Sequence, residues 1–215
     1  IVPAEFDDLF HGVDLAIEIE DDEGVKHLAL GIDVTSSPLS IRKKLKIIKD
    51  HVANGTLTAM EYFHSEDHNP DFYGTMSNIP QVVIRADGKT IKELGELWMS
   101  AYGLAKLRRD SKQPALSPES EEHQKELAKE AKQKLADHRV QTLMLEEIKM
   151  QLTVFQKFAQ EQDQDEVAKK LSSTLNLIEA ILSSKETPPI DDVFKNQEDF
   201  VLQSLTEALN DFDNL

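Results

Sequence analysis

The chain has no cysteine among its 215 residues, which excludes a disulfide framework, a thiolate zinc site and a thiol nucleophile. It has no apolar run near the roughly 20 residues that a bilayer-spanning helix needs. Positive charge is scarce: 24 Lys and Arg stand against 40 Asp and Glu, for a net charge of −16. That balance disfavours a general nucleic-acid binder and a polybasic membrane-surface protein. Aromatic residues make up 6% of the chain, and none interleaves the basic clusters, which weakens single-strand binding by base stacking. There is no G-x-x-x-x-G-K-[ST], G-x-G-x-x-G or G-x-S-x-G string, so P-loop, dinucleotide-binding and usual serine-hydrolase chemistry are not indicated. The sequence opens at Ile1 with neither a methionine nor a signal-peptide pattern, and reads as a trimmed piece of a longer chain. What is present, 40% hydrophobic and 30% charged residues, suffices for a packed core. The expectation is an acidic globular protein of the cytoplasm.

Patterning divides the chain. Residues 1–111 alternate strand-like and helix-like stretches and predict an α/β domain, N-terminally truncated. A Pro- and Ser-containing linker is expected over 112–118, and a helical hairpin with a C-terminal helix over 119–215. The fold class is therefore α+β: a mixed β-sheet flanked by helices, followed by an all-helical antiparallel hairpin or bundle. PAEFDDLF reads as a short leading helix. GVDLAIEIE and HLALGIDVT each alternate with period two, with Val13, Leu15, Ile17 and Ile19 on one face of the first. SPLSIRKKLKIIKDHVANG has a Ser-Pro start, an Asn-Gly stop and a stripe of Ile41, Leu45, Ile48 and Val52, all helix signals. TAMEYF and IPQVVIRAD read as strands separated by a long polar loop. The helix opened by DGKT has Ile91, Leu94, Leu97 and Trp98 as its expected buried side. Later, Leu145, Ile148, Leu152, Phe155 and Ala159 form one seam, and Val167, Leu171, Thr174, Ile178 and Ile181 a second. Residues 119–161 would make one long helix if unbroken. A last stripe runs through Phe194, Val201, Leu205, Ala208 and Phe212.

The first two strands predict their own register. A two-residue turn at Glu23-Gly24 puts glycine where positive φ is needed and makes every paired position sum to 47. Glu18 then faces Ala29, Ala16 faces Gly31 and Asp14 faces Asp33, the two aspartates about 5 Å apart at Cβ. Like charges that close are destabilising unless a cation lies between them. The neighbours Ala16, Ala29 and Gly31 are small, and neither strand offers a lysine partner. Two carboxylates with room beside them suit a divalent cation with oxygen ligands, or else simply form the wet face of a hairpin.

A short helix, G-V-D on a strand, a hairpin, L-G-I-D-V-T-S-S on the next strand and a helix behind it resemble the core of the PD-(D/E)XK nuclease superfamily, which includes restriction-endonuclease-like and Holliday-junction-resolvase-like domains. Asp14 matches the first acid of that motif and Asp33 the second. The resemblance, over about residues 1–100, implies a Mg²⁺-dependent phosphodiester hydrolase acting on nucleic acid, with Asp14 and Asp33 on the metal and a lysine assisting the attacking water. The motif's lysine position is Thr35 here, and Val13 stands where the family usually has proline. Some family members take the lysine from the following helix; Lys44, about 60° from Ile41 on the helical wheel, is the candidate for that role. Glu18 is a candidate third metal ligand, Glu5 an extra acid from the leading helix, and Gln81 a phosphate contact or a strand-end pairing.

Lys43, Lys46 and Lys49, with Arg42 and Lys44, form a basic patch that could track a phosphate backbone; Lys106, Arg108, Arg109 and Lys112 form a second. The loop carrying His64, Glu66, Asp67, His68 and Asp71 is a weaker metal candidate. Two functional classes follow. One is a nuclease-like phosphodiester hydrolase with an atypical or degenerate site and Mg²⁺ as cofactor. The alternative is a catalytically inactive nuclease-like scaffold whose acidic helical half mediates protein–protein interaction or homodimerisation.

Overall fold

The structure is a computed structural model, described here for residues 11–19, 28–64, 73–103, 118–185 and 200–215. It is α+β. The chain divides into two compact units, one of residues 1–85 and 142–215 and the other of residues 86–141. The sequence division falls instead at the linker, of which residues 112–117 lie outside the described residues. Among the described residues no helix is long and apolar enough to cross a membrane.

In the first unit, β1 (Leu15–Ile19) pairs antiparallel with β2 (Leu28–Thr35), and β2 pairs parallel with β5 (Gln81–Arg85). The register Leu15↔Ile32 through Ile19↔Leu28 is the one expected; the turn itself lies outside the described residues. Helix α1 (Pro38–Ala53) follows β2 and buries Ile41, Leu45, Ile48 and Val52, as its spacing predicts, and ends at Asn54-Gly55, where Gly55 takes φ +70°. β3 (Thr58–His64) and β4 (Tyr73–Ile79) form a separate two-stranded antiparallel sheet. Residues 73–78, expected in the polar loop, thus belong to a strand, because pairing with β3 satisfies backbone groups that the sequence pattern does not advertise.

One face of the three-stranded sheet, through Leu30 and Ile32, shares a core with α1, α4 (Val140–Glu161), α5 (Asp165–Ser184) and α6 (Phe200–Asn210). The seams on α4 and α5 point into that core: Ile148, Leu152, Phe155, Val167, Leu171 and Ile178 are buried there. Phe212, just past α6, packs on Phe155 and Phe158 at ring-centroid distances of 5.2 and 5.4 Å. An apolar seam used in this way is not open to a second chain. The other sheet face is also covered: Ala16 and Ala29 cluster with Val13, Met60 and Ile79. Val13 therefore leaves the face expected for it, because the strand begins only at Leu15 and the alternation does not extend back past it.

The edge strand β5 is closed by side chains of α4. Gln151 accepts from Val83 N at 2.8 Å and donates to Val83 O at 2.7 Å. Glu147 accepts from Arg85 N at 3.2 Å and pairs with the Arg85 guanidinium. All three side chains are buried, and the edge has little left to offer another strand.

The second unit holds α2 (Gly88–Trp98), which continues as a π-helical turn (Met99–Gly103), and α3 (Pro118–Ala136). Asp87 caps α2, accepting from Lys89 N and Thr90 N. The expected buried side is corrected: Ile91 is 52% and Trp98 49% exposed, Leu94 and Leu97 are half-buried, and among the described residues of this unit the buried positions are Thr90, Ala101, Gly103, Ala131 and His138. The long helix expected over 119–161 is broken at 137–139: Gln141 Nε2 donates to Leu135 O and Ala136 O, ending α3, and His138 Nδ1 accepts from Val140 N, opening α4.

Candidate functional site

Asp14 lies one residue before the first strand pair, Leu15↔Ile32, and Asp33 one residue after its partner; the two carboxyls are neighbours there. Asp14 N donates to Ile32 O at 2.9 Å, and the Asp14 carboxylate accepts from Val34 N at 2.6 Å. Its position is thus held from both ends by β2. Asp33 is 5% exposed and forms an ion pair with Lys44 Nζ. Burial pushes the Asp33 carboxyl up from 3.8 to about 6; Lys44 opposes the rise, and the neighbouring Asp14 adds to it.

Lys44 reaches Asp33 because α1 packs through Ile41 and Leu45, which leaves position 44 at the margin of the buried stripe, facing the end of β2. Thr35, at the motif's lysine position, has a different task. Its hydroxyl shares a 2.7 Å hydrogen bond with Ser40 Oγ and accepts from Ser37 N at 3.2 Å, which ties β2 to the start of α1.

Gln81 is buried at the head of β5, where it pairs with Gly31 at the strand end, one of the two readings its sequence position offered. Gln81 Nε2 donates to Gly12 O at 2.7 Å and to His11 O at 3.3 Å, pinning the segment that leads into Asp14. Gly12 has φ +63°, and a Cβ there would lie 3.6 Å from Asp33 Oδ2, so this backbone lies against Asp33. No local pattern in the sequence connects positions 12 and 81; the contact follows from the parallel pairing of β5 with β2.

The other basic candidates are spread apart. Lys43 and Lys46 are exposed. Lys49 donates to Asp213 O at 2.7 Å and lies 5.4 Å from the Phe158 ring centroid, and Arg42 pairs with Asp211 at 3.1 Å. The Glu18 side chain, Glu5, the side chain of His64 with Glu66, Asp67, His68 and Asp71, and the cluster Lys106, Arg108, Arg109 and Lys112 lie outside the described residues. Among the described residues, no group of three or more His, Asp or Glu side chains is placed to hold a metal ion. The room expected beside Ala16 and Ala29 is taken by Met60 and Ile79.

Sequence reasoning finds Asp14, Asp33 and Lys44 one by one, from register and helical phase; the structure brings the three together. It does not bring Lys43, Lys46 or Lys49 to the same place. No family model, no curated protein and no solved structure matches this chain.

Proposed function

We propose that the first unit is a phosphodiester hydrolase domain of PD-(D/E)XK type, with Asp14, Asp33 and Lys44 as its reacting groups. The observation that carries this reading is the Lys44–Asp33 ion pair beside Asp14: a lysine from the following helix meets the acid pair although Thr35 occupies the motif position. Two adjoining carboxyls, one of them pushed up to about 6, fit a hard divalent ion, and Mg²⁺ is commonly held by one or two carboxylates with water and substrate phosphate completing its shell. Asp14 and Asp33 would hold it, and bound Mg²⁺ would supply charge neutralisation at the phosphodiester. Lys44, held beside Asp33, would be the cation available to stabilise negative charge developing on the phosphoryl oxygens. Val34 N–H holds the Asp14 carboxylate in place meanwhile.

A second reading, a silent nuclease-like scaffold, is favoured by one observation: Lys44 already neutralises Asp33 without a metal. Calorimetric titration of Mg²⁺ and Mn²⁺ into wild type, Asp33→Asn and Lys44→Met separates the two. Saturable binding lost in Asp33→Asn, with hydrolysis of bis(4-nitrophenyl) phosphate reduced about 100-fold or more in Lys44→Met, is the expected result. No binding to wild type leaves the scaffold reading.

A further inference from the structure

Taking the phosphodiester reading as its basis, we propose that the substrate is nucleotide-sized, a dinucleotide or a comparable small phosphodiester, and not a nucleic-acid polymer. Polymer binding is built from many phosphate contacts, typically about 6–10, each neutralised by a lysine or arginine. The unit that carries the site is poorly supplied with them. Its residues, 1–85 and 142–215, include 13 Lys and Arg against 30 Asp and Glu, a net charge of −17, while residues 86–141 have 11 against 10.

Most of the described cations around the sheet and α1 are already committed. Arg42 pairs with Asp211, Lys49 with the Asp213 carbonyl, and Arg85 with Glu147 in the core. Lys43 and Lys46 lie on the exposed side of α1, away from the Ile41–Leu45 stripe that Lys44 borders. Among the described residues, Lys44 alone pairs with the acid pair, and it becomes available only when Asp33 releases it. Asp33 itself is almost wholly covered. One ammonium beside two carboxyls matches one phosphodiester. A duplex laid across this unit would meet repulsion instead of a basic track.

Three substrates test the proposal with Mg²⁺ or Mn²⁺ present: bis(4-nitrophenyl) phosphate, a thymidine dinucleotide and a DNA duplex of about 20 base pairs. The dinucleotide is expected to be cleaved at least as efficiently per phosphodiester as the duplex. Raising salt from 50 to 200 mM should lower its kcat/KM by only about threefold, as a single phosphate contact predicts. Without divalent ions, fluorescence anisotropy should detect no binding of the labelled duplex at 50 mM salt. Preferential cleavage of the duplex, with a salt loss on the order of 10³-fold, would overturn the proposal and leave the hydrolase reading standing. Failure to cleave any of the three, together with no calorimetric Mg²⁺ binding, removes both.

Discussion

Lys44 on α1 reaches back eleven positions to the carboxylate of Asp33 on β2, so the cation of the acid pair is set by how the helix packs, not by the strand that carries the acid. Position 44 faces the strand end only while Ile41 and Leu45 are seated in the core. Rotation of α1 by one residue, about 100°, would carry the ammonium away. Core packing and site geometry are therefore one constraint in this part of the molecule.

That relationship gives Asp33 a measurable effect on stability. Its ordinary value of 3.8 applies to the unfolded chain, and the folded value is about 6. The folded state holds the proton more tightly, so the stability linked to Asp33 is greatest below pH 3.8. It is lost as pH rises toward 6, by at most about 3 kcal/mol. Asp33→Asn removes this dependence. Urea unfolding of both proteins without divalent ions, at pH 4 and pH 6.5, should show the variant gaining on wild type by about 1–3 kcal/mol across that interval. A constant difference would mean that burial does not hold the proton on Asp33.

Gln81 holds the carbonyls of His11 and Gly12 and through them the approach to Asp14. Gln81→Leu keeps the bulk and removes both donors. The fold should survive with a loss of about 1–2 kcal/mol, while Mg²⁺ affinity falls about 10-fold, in the range seen when groups behind a metal ligand are removed. Circular dichroism with calorimetry reads both. Wild-type affinity in a folded variant would show that Val34 N–H is sufficient to place Asp14.

Gln151→Leu probes the closed edge of β5. The substitution leaves Val83 N–H and C=O facing a side chain that cannot bond them, deep in the core. A destabilisation of about 2–4 kcal/mol is expected from urea unfolding at pH 7, with no change in the denaturant slope. A cost below about 1 kcal/mol would mean that water reaches the strand edge.

Short-range periodicity accounts for what could be read in advance. The hairpin register follows because side chains alternate with a period of two and a tight turn leaves one alignment. The stripe of α1 and the seams of α4 and α5 follow because a continuous apolar line on a helix must be buried. The nearness of Asp14 to Asp33, and the place of Lys44 at the margin of its helix, follow from those two periods; the grouping of the three into one site came from the family resemblance, not from periodicity.

Contacts between distant segments carry no such local signature. Met60 and Ile79 cover the small-residue face because β3 and β4 lie over it, and a period of two says nothing about what packs above a sheet. Ile91 and Trp98 are left exposed while Thr90, Ala101 and Ala131 are buried, an outcome that the apolar stripe of α2 does not predict. Glu147 and Gln151 are buried polar residues of α4 whose partners, the backbone groups of β5, lie more than sixty positions away in the chain. Alternation and helical phase were written in the chain itself, since they depend on residues a few positions apart. The covering of the acid pair, the grip of Gln81 on Gly12 and the closing of the sheet edge came from packing, since each joins groups that approach only after the chain has folded.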